Sequence, residues 1–102
     1  MLDLGHLSHQ THGNRALERE VLEIFATQVG RQVESVRTAE NERQRREAAH
    51  TIVGSALAIG AFDVARIAAR IEAGEGASDG DIAELVDIVE RTRSFIAARL
   101  AE

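Results

Sequence analysis

The stretch His50-Thr51-Ile52-Val53-Gly54-Ser55-Ala56-Leu57-Ala58-Ile59-Gly60 decides how the rest of the chain is read. At about 100° per residue, Ala49, Ile52, Ala56 and Ile59 fall on one apolar stripe. His50 projects roughly a third of a turn away from that stripe, on the side of Arg46, Val53, Gly54 and Leu57. The spacing therefore predicts a helix whose core face excludes the histidine. Gly54, one turn after His50, costs a helix interior roughly 1 kcal/mol relative to alanine. Its missing side chain bares one flank of the imidazole, which is what a nucleophilic histidine needs.

Toward the N-terminus the chain is proline-free and favours helix. Residues 38–47 are highly charged, and the chain must turn between Arg37 and Glu42, although no Gly or Pro marks the place. Before that, Gly13-Asn14 is a clear break: Asn14 is a good N-cap, and Glu18 and Glu20 complement the helix dipole. A helix from Arg15 to about Thr38 carries Leu17, Val21, Ile24, Phe25, Gln28, Val29, Val33 and Val36 at helical spacing, with Gly30 suited to close approach of a neighbour. Residues 2–12 read as a short helix capping one end, with Leu4, Leu7 and Thr11 on one face. The His6-x-x-His9-x-x-His12 series invites a metal reading. A regular helix turns His12 about 240° from His6, so the three cannot converge, and a solvated face is the better reading.

Toward the C-terminus, Gly60 is a plausible helix cap. Phe62, Val64, Ala65, Ile67, Ala68 and Ile71 form the next apolar face, over a helix from about Phe62 to Ala73. Residues 74–80 make the strongest loop, where Ser78 or Asp79 caps a last helix running from about Asp79 to Ala101. Ile82, Leu85, Val86, Val89, Phe95 or Ile96 and Leu100 supply its buried side. Four substantial helices with short connections suggest an all-α fold, an antiparallel four-helix bundle with a short extra N-terminal helix, in a single domain spanning 1–102.

Composition narrows the function classes. A net charge of −5 argues against a phosphate-backbone binder, and three phenylalanines as the only aromatics leave little for stacking bases. There is no cysteine, hence no disulfide and no thiolate metal site. No leader-like segment opens the chain and no stretch approaches the length of a membrane span, so a cytoplasmic protein is expected. No Ser/His/Asp set or Gly-rich nucleotide loop supports a hydrolase, and Gly74-x-Gly76 lies in an acidic loop.

His50-x-x-x-Gly54-Ser55, then Gly60 and an Ala-rich amphipathic helix, resembles the histidine-containing phosphotransfer (HPt) domain. The Leu-rich N-terminal segment, the Gly13-Asn14-Arg15-Ala16-Leu17 helix entry and the Gly60-Ala61-Phe62 corner extend the resemblance over nearly the whole chain. It implies a phosphorelay carrier whose His50 accepts a phosphoryl group from a receiver-domain aspartate and passes it to another receiver. The implied partner is the receiver domain of a response regulator or hybrid histidine kinase, with no nucleic acid, no membrane and a monomeric state. The domain has no cofactor of its own, since the Mg²⁺ belongs to the receiver. The family usually has a lysine three residues after the histidine, where this chain has Val53.

Phosphoryl transfer to histidine needs a neutral ring nitrogen, room for the phosphoryl group and stabilisation of its oxygens. An ordinary histidine, with a pKa of about 6.5, is mostly neutral at about pH 7.5. Gly54 offers the room, and Glu47 is the adjacent carboxylate evident in the sequence. Arg46 and Arg43, one and two turns before His50, are either simply solvated or paired with Glu40 and Glu47, or else one of them screens a phosphoryl group in place of the absent lysine. Val53 and Leu57 would rim the docking face. The alternative is a non-catalytic docking module that binds a receiver or kinase but, lacking the lysine, transfers phosphate poorly.

Overall fold

Three polar side chains set where helices begin. Asp3 accepts a hydrogen bond from the His6 amide (2.9 Å), Asn14 from the Leu17 amide (3.0 Å) and Asn41 from the Gln44 amide (2.9 Å). Each satisfies a backbone donor that the first helical turn leaves without a partner. The computed structural model describes residues 2–74 and 79–102, and all regular structure among them is helical: α1 (Leu4–Gln10), α2 (Arg15–Arg37), α3 (Glu42–Ile59), α4 (Phe62–Ala73) and α5 (Asp79–Leu100). The turn that no Gly or Pro marks in sequence runs from Thr38, which closes α2 through its amide to Glu34, to Asn41.

Gly60 ends α3 in the left-handed region (φ 82°), and a Cβ there would sit 3.0 Å from the Asp3 carbonyl. Both facts require glycine. The close approach serves α1, because the Asp3 amide donates to the Gly60 carbonyl at 2.9 Å. Leu7 and Thr11 are buried as that short helix lies against α3.

The long helices pack in a ring: α2 on α3, α3 on α4, α4 on α5 and α5 on α2. The core between them is aliphatic, with Leu22, Phe25, Val29 and Val36 of α2, Ala49, Ile52 and Ala56 of α3, Val64, Ile67, Ala68 and Ile71 of α4, and Leu85, Val89 and Ile96 of α5 all buried. Burying side chains of this kind contributes about 1.5–3 kcal/mol each for the larger ones.

Several details differ from the sequence expectation. On α2, Leu17 and Ile24 are exposed while Leu22 is fully buried. The stripe follows Leu22, Phe25, Val29, Val33 and Val36, and Leu17 and Ile24 lie about 120–140° around the helix from Val29. Phe62 is exposed at the start of α4, and of the two α5 candidates left open in sequence, Phe95 and Ile96, it is Ile96 that enters the core. Gly30 does receive a neighbour, as expected: the Arg93 guanidinium of α5 lies 3.2 Å from where its Cβ would be, and Arg93 Nε donates to the Ala26 carbonyl at 3.0 Å. Gly74 closes α4 in extended backbone (φ −71°, ψ 139°), while the Ser78 cap and residues 75–78 of the loop lie outside the described residues. Among the described residues no helix is long and apolar enough to cross a membrane.

Candidate functional site at the seam of two helices

Burial of Ala49, Ile52, Ala56 and Ile59 fixes the rotation of α3 about its axis, and that rotation turns His50 outward. Its side chain is 75% exposed. On the neighbouring helix, Ala65 and Ala68 are buried and small, so α4 lies close along α3. Continuing their row by one helical turn brings Glu72, in the last turn of α4, level with the imidazole. His50 Nδ1 and Glu72 Oε2 are 2.5 Å apart. A carboxylate accepts here, so in the neutral ring the favoured tautomer has Nδ1–H donating and the lone pair on Nε2.

Glu72 is the residue beside His50 that sequence reasoning missed. Glu47, the carboxylate adjacent to His50 in sequence, pairs with Arg43 at 3.0 Å within α3, one of the pairings the helical spacing allowed. The available signal was an acid extending the small-residue row of α4, which becomes meaningful only when the register between two helices is known.

Around the ring the space is open. Nothing lies within 4 Å of a Cβ built on Gly54, so the flank of His50 facing the C-terminal end of α3 is bare. Val53 is half-buried against the core edge, and Leu57 is 48% exposed. The chain has no lysine, and besides its four histidines its basic side chains are twelve arginines. Arg45 pairs with Glu42 (2.6 Å) and Arg66 with Asp63 (3.5 Å). Arg70 turns from α4 toward α5, where hydrogen bonds to Glu84 (2.7 Å) and Asp81 (3.1 Å) hold its pKa above the ordinary arginine value. Arg46 is exposed and has no hydrogen bond or ion pair among the described residues.

The other histidines stand apart from this site. His6 packs edge-on against Phe62, with ring centroids 5.4 Å apart, and His12 lies beyond the end of α1 at φ 53°. Among the described residues no group of three or more His, Cys, Asp or Glu side chains is arranged to hold a metal ion.

The site is thus an exposed imidazole with one nitrogen engaged and one free, an open flank, an apolar rim and an uncommitted cation one turn away. In comparison with known proteins, the family model of the Hpt domain matches residues 20–95, which include both helices of the seam. No curated protein and no solved structure gives a match.

Proposed function

The chain belongs to the Hpt domain family, and we propose that it is a single-domain phosphocarrier, an antiparallel four-helix bundle with a short extra N-terminal helix, that accepts and returns a phosphoryl group on His50. Hpt domains take part in histidine phosphotransfer in two-component systems and interact with receiver domains. The observation that carries the reading is the bond from His50 Nδ1 to Glu72, which leaves Nε2 as the nucleophile on an exposed ring.

The chemistry follows from that arrangement. The Nε2 lone pair attacks phosphorus in a receiver aspartyl phosphate as the bond to the carboxyl oxygen breaks. The electron pair leaves with the aspartate, which regains its carboxylate. The proton on Nδ1 stays, and Glu72 stabilises the positive charge that the ring acquires. The reverse step returns the phosphoryl group to a second receiver. Gly54 leaves room for the phosphoryl group and for the receiver backbone, while Val53 and Leu57 form the apolar rim that docks the partner. The receiver supplies the Mg²⁺ and the acidic pocket.

Phosphotransfer from receiver domains of the same organism, loaded with acetyl phosphate, tests the proposal on the wild type and His50→Gln. Acid-labile, base-stable label on the wild type alone is expected. Equal label on both proteins would sink the assignment to His50. Binding without label would favour the docking-module alternative, and Val53→Lys would then be expected to raise the rate.

A further inference from the structure

Resting on the phosphocarrier reading, we infer that the phosphoryl group on His50 is held by Arg46, from the N-terminal side of the ring, so that the site draws its positive charge from the turn before the histidine and not from the position three residues after it.

The need for a cation is sharper here than the sequence suggests. A phosphoryl group brings about two negative charges at neutral pH, and Glu72 already places a carboxylate against the other side of the ring. Val53 supplies no charge, and with no lysine in the chain the counter-charge must come from an arginine.

The neighbouring arginines separate by commitment. Arg45 is part-buried on Glu42, Arg66 is on Asp63, and Arg70 faces α5. Arg43 is engaged by Glu47. Arg46 alone in this group has no partner among the described residues.

Helix geometry singles out the same residue. Arg46 precedes His50 by four residues, about 6 Å along the axis, whereas Arg43 is about 10.5 Å away. Side chains on a helix lean toward its N-terminus, so the imidazole covers the turn that carries Arg46. The guanidinium then offers two parallel N–H groups to the phosphoryl oxygens, a geometry that an ammonium does not match. With the charge on this side, position 53 is free to be apolar and to join Leu57 in the docking rim.

Phosphoramidate, a small donor that releases ammonia as its phosphorus–nitrogen bond is exchanged for the bond to Nε2, tests this without any receiver. The rate of label uptake and the lifetime of the phosphohistidine are measured for wild type, Arg46→Gln, Arg43→Gln, the double variant Arg46→Gln/Val53→Lys and, as a control for one lost charge, Arg91→Gln on α5. Circular dichroism checks that each is folded. Arg46→Gln should lose about ten- to a hundredfold in uptake or lifetime, the range of one charge-assisted contact. Arg43→Gln should lose less, Arg91→Gln should match the wild type, and Val53→Lys should restore most of the loss. Wild-type behaviour of Arg46→Gln, with label still abolished by His50→Gln, overturns the role of Arg46 and leaves the phosphocarrier reading standing. A wild type that takes no label overturns that reading and this inference together.

Discussion

Two glycines interrupt the middle of long helices in this protein, and their surroundings are opposites. At Gly30 of α2 the missing side chain is replaced by a neighbour, since the Arg93 guanidinium of α5 comes within 3.2 Å of where a Cβ would be. At Gly54 of α3 the same space is empty to 4 Å. Each glycine costs its helix about 0.5–1 kcal/mol relative to alanine. At Gly30 the cost is offset inside the fold, because α5 approaches α2 and Arg93 reaches the Ala26 carbonyl. At Gly54 nothing inside the fold offsets it. That position lies one turn from His50, and on the proposed function the open space receives a phosphoryl group and the receiver that carries it.

The contrast can be broken most forcefully by filling the empty side. Gly54→Leu should slow transfer from a phosphorylated receiver by about tenfold or more, equivalent to at least about 1.4 kcal/mol, while the thermal midpoint does not fall. Undiminished transfer would show that the open flank has no part in docking. Next in size, Arg93→Ala should destabilise the protein by about 1 kcal/mol through loss of its bond to the Ala26 carbonyl, read as a lower urea midpoint at unchanged slope. A midpoint equal to wild type would mean that the Gly30 notch is incidental.

Smaller changes sharpen the same comparison. Gly54→Ala should stabilise by about 0.5–1 kcal/mol, because its methyl group meets nothing and the unfolded chain loses freedom. Gly30→Ala should gain less than that, since its methyl group presses on the guanidinium, which must give by a few tenths of an ångström. In an Arg93→Ala background Gly30→Ala should recover the full gain, and a double-mutant cycle measures the difference. Identical gains for Gly30→Ala in both backgrounds would argue against the contact.

Much of this molecule is legible from its sequence, for local reasons. Asn14 caps α2 and Gly60 closes α3 as expected, because a cap involves only a side chain or backbone angle and the amides a few residues away. Ala49, Ile52, Ala56 and Ile59 are buried as their periodicity requires, and His50 is therefore exposed. Where two apolar rows compete on one helix, periodicity chooses less well. Leu17 and Ile24 form an apolar row of their own, about 120–140° from Val29, and Leu22 is in the row that α2 buries. The choice depends on where α3 and α5 stand, and no local spacing contains that information.

The sequence by itself determined the helical segments, the Asn14 and Gly60 caps and the outward direction of His50, since each follows from interactions within about one helical turn. Only the tertiary structure decided what stands beside the histidine. Residues 50 and 72 are brought to 2.5 Å by the register between α3 and α4, and that register is set by how closely two faces with buried alanines pack. Glu47, nearer in sequence, is instead drawn to Arg43 within its own helix. Which carboxylate orients the imidazole is therefore decided by packing between helices, where sequence separation carries no weight.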